Sequence, residues 1–395
     1  MQKTLLILSL VTAIAIISCS KSTSVDTVSK IYPAITAAFG SNIDPNNLID
    51  YAGQAVPAYI TKDNARGIPT NNAKATLGRV LFYDKALSID NSISCASCHK
   101  QKFAFSDTAV SSAGVAGGLT GRHSMRLINT RFAGEAKFFW DERAANLEAQ
   151  TTMPIQDHAE MGFSGQSGRP GIAQLLVKLQ GIGYYKELFQ FVYGDQNITE
   201  GRMQESMANF IRTIQSFDSK YDVGRAQVPS DGPPFPNFTA EENMGKQLWR
   251  MPPQFDAQGV RIGGGLGCNA CHAAPEFDIN PNSRNNGIIG IINKTGIDVL
   301  NTRAPSLRDL VQTDGTSNGP LMHTAAIRDI QTAIGHYGAI NRAPGNNNLD
   351  PRLTPNGFGQ RLNLNAQEVN ATIAFLRTLS GTKVYTDPRW GDPFR

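Results

Sequence analysis

Two pentapeptides, Cys95-Ala96-Ser97-Cys98-His99 and Cys268-Asn269-Ala270-Cys271-His272, hold the residues best placed to do chemistry. Two thiols at this spacing add across the vinyl groups of a haem, and an imidazole directly after the second thiol ligates the iron. Cys95, Cys98 and His99 therefore read as the attachment residues of one c-type haem, and Cys268, Cys271 and His272 as those of a second. A redox disulfide or a zinc site also uses Cys-x-x-Cys pairs, but neither explains a His after both. With five Cys and six His in 395 residues, coincidence is negligible.

The surroundings of the two signals resemble each other. Gly78-Arg79-Val80-Leu81-Phe82 precedes the first and Phe105-Ser106-Asp107 follows it; Gly245-Lys246-Gln247-Leu248-Trp249 precedes the second and Phe277-Asp278 follows it. This order predicts an internal duplication with a helix leading to each haem. Between the copies, the Pro- and Gly-rich run from Val228 to Phe238 cannot continue a helix and marks a boundary. Thr239 with Glu242 reads as a capping box opening the second copy, and Asn365 with Glu368 as another helix start. Met203, Met207, Phe210, Ile211 and Ile214 share one helical face, as do Val369, Ile373, Leu376 and Leu379. Alternating strand patterns are scarce. The expected fold is mainly α with little β and long loops: two cytochrome c-like haem domains in tandem, over residues 61–230 and 239–395.

Residues 1–18 carry the marks of an export signal: Lys3, the apolar run LLILSLVTAIAII, and Ser18 before Cys19. That run is too short for a membrane span. The sequence IISC followed by SKSTS is similar to a bacterial lipoprotein signal, in which Cys19 becomes the lipidated first residue. Residues 19–60 then form a tether and N-terminal segment, polar and patternless over 20–30. The expected location is the periplasmic side of a bacterial envelope membrane, held by lipid. With 41% hydrophobic and 18% charged residues the composition is that of a soluble globular protein. The net charge of +4 comes without a dense basic cluster, so nucleic-acid binding has no electrostatic footprint.

The strings LGRVLFYDKALSIDNSISCASCH, FFWDERAANLEAQ, PIQDHAEMGF, ANFIRTIQSFDSKYD, APSLRDL and ATIAFLRTLSG together resemble the bacterial dihaem cytochrome c peroxidase family, which includes the MauG-type enzymes. The resemblance runs from about Leu77 to Gly381. It implies that the N-terminal haem meets peroxide, that the C-terminal haem receives electrons, and that Trp140 relays between them. Glu142 stands where the family usually has Gly. Gln150, Pro154 and Glu160 match the family's peroxide pocket. Glu160 is suited to take a proton from the inner peroxide oxygen and return it to the leaving one, and desolvation beside a haem would hold its pKa near working pH.

Many members carry a His in the loop after the first signal that caps the iron. The loop from Lys100 to Arg122 has none, so His99 is expected to be the only protein ligand of that haem, with His123 the residue that would overturn this. His123 falls where the family has an Asn that helps hold calcium between the domains. The backbone carbonyls of Ala304 and Pro305 remain candidate calcium ligands, although a neutral imidazole does not suit that ion. Opposite His272 the peroxidases use a Met and MauG-type enzymes a Tyr. The segment TAIGHYGAI puts Tyr337 at this position, beside His336, with Met322 in PLMHTAA as the alternative. His323 is read as a loop-corner residue and His158 as shaping the peroxide-side loop. The expected function is reduction of hydrogen peroxide to water with electrons from a small periplasmic donor of cytochrome c or cupredoxin type. The alternatives are a MauG-like oxidase of a partner protein's aromatic residue and a non-catalytic dihaem electron carrier, against which Gln150 and Glu160 argue. Related enzymes are often dimers, which makes a homodimer an expected state.

Overall fold

The computed structural model describes residues 30–394. The residues read as an export signal, Cys19 and the polar run up to residue 29 lie outside the described residues. The chain over Tyr32–Arg395 forms one compact unit, mainly helical.

In the first half, α1 (Pro33–Phe39), α2 (Asn72–Tyr83), the single turn α3 (Cys95–Cys98), α4 (Leu147–Gln156), α5 (Ile172–Gln180), α6 (Gly183–Tyr193) and α7 (Glu200–Thr213) follow one another. The Asn71 side chain accepts from Lys74 N–H to start α2, and Thr199 accepts from Arg202 N–H to start α7. The face of α7 expected to be apolar is buried from Met203 to Ile211, continuing to Ile214 just beyond its end. α2 crosses α7 at Gly78, where any Cβ would collide with the Ser206 carbonyl oxygen.

The second half repeats this crossing. It contains α8 (Lys220–Arg225), α9 (Ala240–Arg250), β1 (Pro253–Phe255), β2 (Arg261–Gly264), β3 (His272–Ala273), β4 (Asp278–Ile279), α10 (Ile330–Gly338) and α11 (Ala366–Arg377). Gly245 of α9 meets the Ala371 carbonyl of α11 as Gly78 meets Ser206, again leaving no room for a Cβ. The two glycines hold matching places in GRVLF and GKQLW, so the duplication legible in the sequence is a duplicated helix crossing. The capping boxes at Thr239/Glu242 and Asn365/Glu368 both form. The β structure amounts to two antiparallel pairs, β1 with β2 and β3 with β4.

Packing divides the chain elsewhere than the expected boundaries. Tyr221 of α8 and Phe235 in the Pro-rich run belong to the second core, with Trp249, Phe277 and Phe375. Conversely, Val384 and Trp390 lie in the core of the first half, and Phe394 packs against it. Tyr51 Oη donates to the Arg389 carbonyl at 3.0 Å and Arg79 Nε to the Gly391 carbonyl at 2.7 Å, fastening the C-terminal run there. The segment read as a tether continues into this body: Ile35 and Phe39 of α1 are fully buried. A buried ion pair crosses the middle, with both Arg308 nitrogens 2.9 Å from Asp222. Removing one partner of such a pair costs about 3–5 kcal/mol because the other is left buried and uncompensated.

Candidate haem and peroxide site

The α3 turn presents Cys95 and Cys98 on one side and hands the chain to His99, whose Nδ1 donates to the Phe105 carbonyl at 3.1 Å. This bond selects the tautomer that leaves Nε2 free as a metal ligand. In the second site the Phe277 carbonyl plays the same part less closely: it acts on His272, whose Nδ1 is buried without a full hydrogen bond. Burial lowers the pKa of both imidazoles, that of His272 to about 4, keeping them in the neutral form that binds iron. Cys268, Cys271 and His272 line a cavity of about 580 Å³ together with Trp140, Met322 and Tyr337. Paired thiols, neutral imidazoles and a cofactor-sized cavity fit a covalently held haem.

Gln150 and Pro154 lie four residues apart on α4, on one helical face, and Glu160 follows in the turn after the helix ends. Burial, reinforced by the charge of Asp157 and opposed by Arg143, pushes the Glu160 carboxyl up to about 7. Its charge in turn raises the Cys95 and Cys98 thiols, so the carboxylate belongs to the surroundings of the first haem signal. The loop after that signal folds onto the same turn: Val115 N–H donates to the Glu160 carbonyl at 3.0 Å. Val115 is itself buried, with its side chain packed by Gly162. His158 is exposed and bonded to Ser164 Oγ at 3.0 Å, a loop-shaping contact.

Trp140 sits at the junction of the halves. Its Nε1 donates to the His123 carbonyl at 2.8 Å, and its own carbonyl accepts from Thr302 and Arg303 N–H, both at 3.0 Å. The ring lies edge-on to His323, 6.2 Å between centroids. Two residues beyond, Glu142 has φ of 55°, a left-handed conformation that a side chain adopts at a cost of roughly 1–2 kcal/mol. That conformation gives the family's preference for Gly there a physical reason. The Glu142 carboxylate accepts from Thr302 Oγ1 at 2.9 Å, a compensating link across the junction.

His123 is buried, its Nδ1 bonded to the Ala109 carbonyl at 3.0 Å, its N–H given to the His323 carbonyl at 2.8 Å, and its Nε2 unpartnered. The Met125 and Phe105 carbonyls both act on the His99 ring. The irregular segment 123–125 therefore lies against that ring, with Phe105. The carbonyl candidates for calcium, Ala304 and Pro305, line the second cavity. Among the described residues no cluster of three His, Cys, Asp or Glu side chains could hold a metal, and next to these carbonyls the Arg126 guanidinium donates to Ser306 O at 3.1 Å.

Tyr337 and Met322 share one anchor, Asn286, whose Nδ2 donates to the phenol oxygen at 3.0 Å and to the thioether sulfur at 3.2 Å. Burial drives the Tyr337 phenol upward. His336 is engaged elsewhere, its Nε2 bonded to the Asn286 carbonyl at 2.9 Å, and His323 likewise to the Gly290 carbonyl at 3.0 Å. Sequence reasoning missed Asn286 and Arg126. Arg126 stands inside GRHSMRLIN, three residues after His123, and an arginine so close to an expected ligand position was the available signal.

Comparison with known proteins points to one family. Residues 72–227 match the family described as Di-haem cytochrome c peroxidase. The Methylamine utilization protein MauG of Methylophilus methylotrophus is 28% identical over 354 residues, 87% of this chain and 91% of that one. The Cytochrome c551 peroxidase of Nitrosomonas europaea is 24% identical over 326 residues, 79% of this chain and 81% of that one. A solved MauG-like protein associated with microbial copper homeostasis superimposes with a TM-score of 0.65 at 24% identity, covering 87% of this chain and 99% of that one.

Proposed function

Because this chain belongs to the di-haem cytochrome c peroxidase family, which takes in both MauG and the bacterial cytochrome c peroxidases, we propose that it reduces hydrogen peroxide to water at the His99 haem site. The observation that carries this reading is Glu160, held near pKa 7 beside the first haem signal. The two haems supply one-electron redox chemistry at their irons. A Glu160 carboxylate Oε takes the proton from one peroxide oxygen and delivers it to the other, which departs as water. Two electrons and two protons per peroxide then balance the formation of two waters. Gln150 orients peroxide by hydrogen bonding, Pro154 restricts the pocket, and the loop from Lys100 to Arg122, which has no His, leaves His99 as the expected protein ligand of its haem. Cys268, Cys271 and His272 would hold the haem that receives electrons from a small periplasmic protein donor, and Trp140, at the junction of the halves, would serve as the relay between the two sites. Lipidation of Cys19 would hold the enzyme at the periplasmic face of a membrane.

Tyr337 favours a second reading. If its phenol oxygen rather than the Met322 thioether ligates the second iron, ferric and higher states are stabilised, and the protein acts as a MauG-like oxidase on an aromatic residue of a partner protein. The deciding experiment mixes purified lipid-free protein with peroxide and a reduced small cytochrome c. Rapid oxidation of the cytochrome supports the peroxidase. A spectral change with peroxide but negligible turnover supports the oxidase, and no response to peroxide leaves only an electron carrier.

A further inference from the structure

Arg126 brings a charge into the molecule, and among the described residues no carboxylate hydrogen-bonds to it. It is 8% exposed and lines the cavity of the second haem site alongside Trp140 and Arg303. Its hydrogen bond runs from Nη2 to the Ser306 carbonyl at 3.1 Å, and its Nε is buried and unpartnered. Among the described residues Asp309 and Tyr385 act on it only at a distance, without a hydrogen bond. Asp309 is a poor counter-ion: burial raises its own pKa, and its Oδ1 is taken by Gly381 N–H and the Tyr385 hydroxyl, both at 2.9 Å. The other groups that feel Arg126, His123 and His272, are imidazoles and not anions. A guanidinium keeps its proton in proteins, so the charge stays, and an unpaired buried ion costs several kcal/mol. The arginine near the attachment cysteines differs: Arg352, whose charge acts on Cys271, is already paired with Asp350 at 2.6 Å.

We propose that Arg126 is the counter-ion of a propionate of the second haem, at the porphyrin edge away from Cys268 and Cys271. The inference rests on the reading that this cavity holds a c-type haem, which carries two carboxylates. The guanidinium fork matches a carboxylate bidentately. Because Arg126 follows Met125, whose carbonyl acts on the His99 ring, this ion pair links the chain of the first haem site to the cofactor of the second. It holds the propionate ionised and, as a positive charge near the iron, favours the ferrous state.

The test is spectroelectrochemical titration of the holoprotein with Arg126→Met and Arg126→Lys, after haem content is measured. In Arg126→Met the ferrous-to-ferric ratio of the second haem at a fixed potential should fall on the order of tenfold, the effect of a unit charge across roughly 10 Å at an effective dielectric near 20. Arg126→Lys should restore most of it, and the first haem should shift less. In the wild type, the second haem's potential should stay flat from pH 6 to pH 8, because the paired propionate remains ionised while Asp309, Tyr385 and His123 keep their protonation. An unchanged second-haem potential in Arg126→Met, or a wild-type potential that falls with pH across that range, overturns the proposal. If Arg126→Met does not fold, the wild-type pH series and Arg126→Lys still decide. Wild-type protein with fewer than two covalent haems sinks the underlying reading instead, so the two failures are distinct.

Discussion

Glu160→Gln should make the protein more stable and less active together. Its carboxyl lies at about 7 in the folded chain against an ordinary 4.5, a rise worth roughly 3 kcal/mol. The raised value means that the folded state holds the proton more tightly than the unfolded one. The associated stability is therefore full below pH 4.5, drains away as pH rises, and is gone above about 7. Glutamine cannot ionise, so the stability difference between Glu160→Gln and wild type should grow by about 3 kcal/mol in favour of the variant from pH 4 to pH 8. Taking this difference cancels every other titrating group, and guanidinium unfolding curves at the two pH values provide it. The same carboxylate is the proposed proton acceptor, so wild-type kcat/KM for peroxide should climb about tenfold per pH unit below 7 and level off above it. The variant should lose about a hundredfold to ten-thousandfold of the plateau rate and show no such limb. A variant that keeps the wild-type rate, or a wild-type profile flat through pH 7, would refute the reasoning.

Further expectations concern the second haem and the junction. Tyr337→Met should raise the second haem's potential if the phenol is its ligand, and an unchanged potential in redox titration would remove Tyr337 from that role. Trp140→Phe should slow electron transfer between the haems at least about tenfold in stopped-flow traces while the first haem still responds to peroxide at the normal rate. Gly245→Ala should cost about 1–3 kcal/mol in thermal unfolding, because its methyl group would overlap the Ala371 carbonyl. Glu142→Gly relieves the left-handed backbone but loses the Thr302 bond of similar worth, so its stability should stay within about 1 kcal/mol of wild type.

The covalent chemistry and the local helix signals were legible because they are local. The Cys-x-x-Cys-His strings state their own spacing, and a capping box needs only four residues, which is why Thr239 and Asn365 could be read as helix starts. Gly78 and Gly245 were visible as a repeat, but the carbonyl each must avoid, on Ser206 or Ala371, arrives from far along the chain. β1 to β4 are too short for any period to declare them, and partners set by the haem loops create them. Arg126 stayed hidden because an exposed and a buried arginine look alike in sequence, and only the absence of a carboxylate around the guanidinium separates them. The boundaries were blurred for a related reason: Tyr221 and Trp390 are apolar in the ordinary way, and nothing near them says which core they enter.

The return of the C-terminal run has a consequence for biogenesis. Tyr51 and Arg79 receive their hydrogen-bond partners, and Phe39 an aromatic neighbour at 4.9 Å, from residues 389–394. The region around α1 and α2 thus cannot finish folding until residues 389–394 have been made. Contacts spanning so much of the sequence close late and slowly. During that delay the thiols of Cys95 and Cys98 sit in an unfinished core. A chain truncated before Val384 would carry its second core complete and its first core open.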